Sequence, residues 1–130
     1  MFEELKGIIN NSYSNISNYK VASIVKMKDG SIFKGVNIEN PSFKDGLCAE
    51  QVAIGSAISN GYTKGDFESI YVLGSNTYAI PPCFLCRQVL VEFFKEDDPV
   101  ILYDINGNET KYQIKDLCPH VFGEENLKND

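Results

Sequence analysis

The residues of this 130-residue chain best suited to chemistry are four cysteines, Cys48, Cys83, Cys86 and Cys118, and three of them fall into a pattern. Cys48-Ala49-Glu50 comes first, and Pro82-Cys83-Phe84-Leu85-Cys86 follows in the second half. The Cys83/Cys86 pair alone is compatible with redox chemistry, metal binding or accident. Cys48 and Glu50 narrow the choice. Three soft ligands suit zinc, and a catalytic zinc keeps three protein ligands and leaves a fourth position open. Glu50, two residues past the first thiol, can reach a water at that position without ligating the metal. The single histidine, His120, lies far along the chain, so no histidine ligand is expected. Cys118 reads as a core or surface thiol and His120 as a surface residue.

Such a constellation needs elements to hold it. Glu3 to Asn11 patterns as a short amphipathic helix. Tyr19 to Lys28 reads as a strand, Asp29-Gly30 as a hairpin turn, and Ser31 to Glu39 as the returning strand, stopped by Asn40-Pro41. Cys48 to Asn60 reads as a helix closed by Gly61. Ser69 to Gly74 is a short buried strand, and Pro81-Pro82 presets a second helix over Cys83 to Lys95. Val100 to Tyr103 and Thr110 to Ile114 are strands around a turn at 105–108, and a short helical turn follows Lys115. Both cysteine groups therefore sit at helix starts, where the helix dipole favours thiolate. The order α-β-β-α-β-α-β-β predicts a three-layer α/β domain over residues 1–130, a mixed five-stranded sheet with helices on both faces.

Bulk properties exclude several classes. Hydrophobic residues make up 43% and charged residues 23%, the balance of a globular chain. No apolar run approaches a membrane span, and the acidic Met1-Phe2-Glu3-Glu4 start lacks a signal-peptide pattern, so the reading is a cytoplasmic protein. The net charge of -6 argues against a nucleic-acid polymer as partner, because phosphate binding rests on clustered cations.

The pattern H/C-x-E followed by P-C-x-x-C is the signature of the zinc deaminases. From about Asn11 to Leu127 the chain resembles the small cytidine deaminases. The matching segments are Tyr19-Lys20-Val21, Gly35 to Asn40, Cys48-Ala49-Glu50, Pro82 to Leu90 and Phe122 to Leu127. The resemblance implies one Zn2+ per chain on Cys48, Cys83 and Cys86. It implies that Glu50 carries the proton between the attacking water and the substrate ring. Asn37 and Glu39 would hold the sugar hydroxyl, Tyr19 would pack on the base, and Ala49 would line the substrate site. It also implies a homotetramer with shared active sites, in which Phe43 and Phe122 cross between subunits.

The sequence departs from the family at informative places. Relatives commonly offset thiolate charge with an arginine after the glutamate and another after the last cysteine. Here those places hold Gln51 and Arg87, expected to serve the sulfurs by hydrogen bonding and by charge. Phe84-Leu85 replaces small residues. Ala22-Ser23 and the neutral Gln51 are similar to blasticidin-S deaminase, whereas Asn37-Ile38-Glu39-Asn40 points to cytidine. The leading expectation is hydrolytic deamination of cytidine or deoxycytidine, in pyrimidine salvage, with a blasticidin-S deaminase-like activity as the alternative. A polynucleotide deaminase would need a basic groove. A non-enzymatic zinc module would use all four cysteines and tolerate Glu50→Gln.

Overall fold

The structure is a computed structural model that describes residues 1–128; the last two positions of the expected 1–130 domain lie outside the described residues. The elements run α1 (Phe2–Ile9), β1 (Val21–Met27), β2 (Ile32–Val36), α2 (Ala49–Ser59), β3 (Phe67–Gly74), α3 (Phe84–Phe93), β4 (Pro99–Tyr103), β5 (Glu109–Gln113) and α4 (Ile114–Leu117). Short 3-10 turns occupy Phe43–Asp45 and Glu124–Leu127. The strands form one sheet in the order β2-β1-β3-β4-β5. β3 and β4 are parallel and the other neighbours antiparallel, so the sheet is mixed as expected. The parallel pair is joined through α3, which fits the rule that parallel strands need a crossover longer than a hairpin.

β1 and β3 are covered on both faces, which explains their nearly continuous apolar character. On one face Val25, Met27, Ile70 and Val72 meet Ala53, Ile54 and Ala57 of α2 and Leu90 of α3. On the other, Ala22, Ile24 and Leu73 meet Leu5 of α1, a fully buried leucine. Each buried Val, Leu, Ile or Met among them contributes roughly 1.5–3 kcal/mol through its removal from water. Helices on both faces make the three layers.

Two features fix where α2 lies. Gly35 of β2 passes so close to α2 that a Cβ there would strike the Ala49 carbonyl oxygen and lie 2.5 Å from the Ala53 nitrogen. At its far end α2 closes in a Schellman motif: Gly61 N–H donates to Ile58 O at 3.0 Å and Tyr62 N–H to Ala57 O at 3.2 Å, with Gly61 at φ +98°.

Differences from the expected boundaries have physical causes. Strand β1 begins at Val21, because Asn18 sits at φ +60° and turns the chain before it. β2 ends at Val36: beyond it Ile38 exchanges backbone hydrogen bonds with Leu47, and Glu39 N–H donates to Tyr13 O. The segment from Asn37 to Glu39 thus leaves the sheet ladder and becomes one wall of a cleft.

Candidate active site

The helix starts converge. Cys48 is the N-cap of α2, Cys83 the N-cap of α3, and Cys86 lies in the first turn of α3. Their sulfurs all lie within 4.8 Å of one another, with Cys48 Sγ and Cys83 Sγ 3.9 Å apart. Tetrahedral bonds of about 2.3 Å place sulfurs roughly 3.8 Å apart, so the three fit a zinc ion. Burial differs across the triad, from the exposed Cys83 to the buried Cys86, which leaves one side open to the cleft. The Cys48 thiol is drawn down to about 6, chiefly by a hydrogen bond from Cys86 that outweighs burial. The same bond pushes the Cys86 thiol up. Cys118 is not part of the cluster; its Sγ lies 3.9 Å from the Arg87 carbonyl, and burial raises its thiol.

Glu50, in the first turn of α2, is only 5% exposed although charged. Burial pushes its carboxyl up to about 7, opposed by its own backbone N–H and reinforced by the neighbouring Cys48. It opens on a cleft of about 670 Å³, the size of a small-molecule site. Cys48, Cys83, Ala49, Asn37, Glu39 and Tyr19 line the same cleft, and Phe43 stands at its edge, 83% exposed. Pro81 of the helix-start pair lines it as well, and so do Ser17 and Ile80, which belong to no recognisable motif. In retrospect the only signal was their nearness in sequence to Tyr19 and Cys83.

The walls are tied by side chains. The Asn37 amide oxygen accepts from Val21 N–H at 2.9 Å and from the Ser12 hydroxyl, and its Nδ2 donates to the Tyr19 carbonyl at 2.9 Å. The Glu39 carboxylate accepts three hydrogen bonds from Ile16 and Ser17. These hold it ionised below the usual range, the Ser17 hydroxyl contributing most. The Tyr19 hydroxyl accepts from Asn76 Nδ2 at 3.3 Å. It packs so tightly on Gly74 that a Cβ there would lie 2.6 Å from it. Burial raises the Tyr19 phenol.

Two expected contacts differ. The Gln51 side chain does not turn its amide to sulfur: its Oε1 accepts from Cys48 N–H at 2.9 Å, capping α2 at the first free backbone donor. Arg87 does not donate to a thiolate either. Its Nε and one terminal nitrogen donate to the Pro82 and Leu117 carbonyls at 2.8 and 2.9 Å, and its guanidinium stacks on Phe84 at 4.3 Å. The planar guanidinium fork thus ties a carbonyl just before α3 to one at the end of α4. Phe122 lies outside the cleft, on a second, smaller hollow with Arg87, and is 56% exposed.

Comparison with known proteins agrees with the geometry. The family described as "Cytidine and deoxycytidylate deaminase zinc-binding region" matches residues 1–102. A cytidine deaminase of Halalkalibacterium halodurans is 34% identical over 91% of this chain and 88% of its own length. The chain belongs to the cytidine deaminase family. The cytidine deaminase crystal structure from Burkholderia pseudomallei superposes with a TM-score of 0.89 at 36% identity, covering 93% of this chain and 95% of that one. A blasticidin-S deaminase of Bacillus cereus is a further relative, 30% identical over 79% of this chain and 76% of its own. In this cytidine deaminase-family chain Cys48, Cys83 and Cys86 form the zinc-site triad. Among the described residues no helix is long and apolar enough to cross a membrane.

Proposed function

We propose that this chain is a zinc-dependent aminohydrolase that converts cytidine and deoxycytidine to uridine and deoxyuridine with release of ammonia. The observation that carries the reading is the buried Glu50 carboxyl opening on the same cleft as the three-sulfur cluster. When bound, zinc supplies the Lewis acidity that lets water act as a nucleophile near neutral pH. Cys48, Cys83 and Cys86 would hold it. Glu50 is the catalytic acid–base. It takes one proton from the attacking water and gives it to ring N3 while the water oxygen bonds to C4. It then passes the second proton to the exocyclic amine, the C4–N bond breaks, and ammonia leaves as the C4 carbonyl forms. Such proton transfer is typically worth ~10²–10⁴-fold.

Asn37 and Glu39 face the sugar, with one Asn37 amide N–H left over for a hydroxyl oxygen. Tyr19 and Ala49 flank the base, and Phe43 covers the mouth. The cleft lining carries Glu39 and Glu50 but no lysine, arginine or histidine among the described residues. A 5′-phosphate would meet net negative charge there, which favours a nucleoside over a nucleotide. The assembly reading is a homotetramer with Phe43 and Phe122 reaching between subunits. Its support is the exposed apolar surface of Phe43, Phe84 and Phe122 on the two hollows, which association would remove from water. Gln51 and Arg87 act as supports of the two helix starts.

The test is ammonia release by zinc-loaded protein with cytidine, deoxycytidine and blasticidin S in parallel. Turnover of the two nucleosides is the expected result. Turnover of blasticidin S alone would transfer the chain to the antibiotic-inactivating branch, and silence on all three would overturn the substrate reading.

A further inference from the structure

The Glu39 carboxylate is held by a neighbouring segment of the cleft lining, Ile16-Ser17, with no motif of its own. Ile16 N–H and Ser17 N–H both donate to Oε1, at 3.1 and 3.0 Å. The Ser17 hydroxyl donates to Oε2 at 2.5 Å and accepts from Tyr19 N–H at 3.0 Å. The next residue, Asn18, takes φ +60°, a left-handed conformation that non-glycine residues adopt at a cost. That turn folds the Ser17 hydroxyl back under Tyr19. Both Ser17 and Glu39 line the cleft. A carboxylate offers about four acceptor directions. Three are occupied here, both of Oε1 and one of Oε2. The single direction left is on Oε2.

We propose that Ser17 is a positioning residue for sugar recognition: with the Ile16 and Ser17 backbone it clamps Glu39 so that one Oε2 acceptor direction remains for one substrate hydroxyl. This rests on the nucleoside reading of the cleft. The clamp also keeps Glu39 a pure acceptor, because every group bonded to it is a donor. It therefore reads a hydroxyl proton and rejects an analogue that has none, since the remaining acceptor would be stranded. A floppy glutamate would find water or another partner instead and discriminate less.

The experiment compares wild type with Ser17→Ala, Ser17→Thr, Glu39→Gln and the Ser17→Ala/Glu39→Gln double variant. Each is assayed on cytidine, 2′-deoxycytidine and 3′-deoxycytidine, with a thermal melt recorded for each protein. Glu39→Gln identifies the hydroxyl that is read, as the one whose removal no longer matters. Ser17→Ala is expected to raise KM for substrates carrying that hydroxyl roughly ten-fold, the scale of one charge-assisted hydrogen bond. It is expected to leave kcat within about two-fold and to leave the analogue lacking the hydroxyl unchanged. Ser17→Thr restores the hydroxyl and the KM, and the double variant is no worse than Glu39→Gln. An equal loss on substrates with and without the hydroxyl, or no change of KM in Ser17→Ala, would overturn the clamp. Absence of turnover by wild type on every nucleoside would instead overturn the activity reading. The clamp is then read from the carbon-13 titration of the Glu39 carboxyl. A midpoint below the usual carboxylate range that moves up in Ser17→Ala supports it, and no movement refutes it.

Discussion

Gly35→Ala tests how the metal site is placed, because the residue touches neither a ligand nor the cleft. Its effect follows from packing alone. The new Cβ would lie 2.5 Å from the Ala53 backbone nitrogen and strike the Ala49 carbonyl as well. Ordinary contact needs about 3.4 Å or more, so β2 and α2 must separate by about 1 Å, the tighter clash with the Ala49 carbonyl setting the amount. Gly35 has no positive φ, so backbone strain does not add to the effect. Overpacking costs typically ~1–3 kcal/mol, and two rigid backbones place this case at the upper end. For a chain of this size that is a fall in Tm of about 10 °C. The displaced end of α2 carries Cys48 and Glu50. A shift near 1 Å at a reacting group costs on the order of 10²-fold in rate. The assays are a thermal melt, zinc per chain by mass spectrometry, and kcat for cytidine. Gly7→Ala in α1 is the control, since a Cβ there meets nothing within 4 Å and the change favours helix by about 1 kcal/mol. A Gly35→Ala protein that melts within 2–3 °C of wild type and keeps full zinc and rate would refute the packing argument.

Other outcomes follow from the same geometry. Cys118→Ser is expected to keep one zinc per chain, whereas Ser at Cys48, Cys83 or Cys86 loses it; zinc analysis of the four purified variants decides. Arg87→Lys is expected to melt about 2–3 kcal/mol lower, because an ammonium cannot span the Pro82 and Leu117 carbonyls while stacking on Phe84. A chemical-denaturation curve equal to wild type would contradict that. Stability is expected to fall at acid pH. The Asp29 carboxyl is held low mainly by the Tyr62 hydroxyl, and Asp104 mainly by the Asn108 amide. Their unfolded values are ordinary, so their contribution is present above the ordinary carboxylate range and is lost as pH falls through the lower folded values. Melting curves from pH 3 to 6 should steepen in wild type and flatten in Asp104→Asn.

The sheet and the metal triad were legible because each rests on a local signal. Alternation and turn residues marked the strands, and Cys48 and Cys83 stand where helices begin. What was not legible depends on contacts between distant segments. Nothing local in Ser31 to Glu39 says that the ladder stops at Val36, since the cause is pairing of Ile38 with Leu47. The expectation that Gln51 and Arg87 serve the sulfurs rests on the resemblance, since they stand where relatives commonly carry arginines. The structure instead pairs Arg87 with the Leu117 carbonyl, 30 residues away, and Gln51 with the Cys48 N–H. The role of Ser17 is hidden for the same reason: its partner lies 22 residues away in the chain and meets it only on folding.

The most direct test of the central claim is ammonia release from cytidine by zinc-loaded wild type and Glu50→Gln, with zinc measured in both. The account predicts one zinc per chain in each protein and a loss of rate of at least about 10²-fold in the variant. A Glu50→Gln protein that holds its zinc and still releases ammonia at the wild-type rate would contradict it.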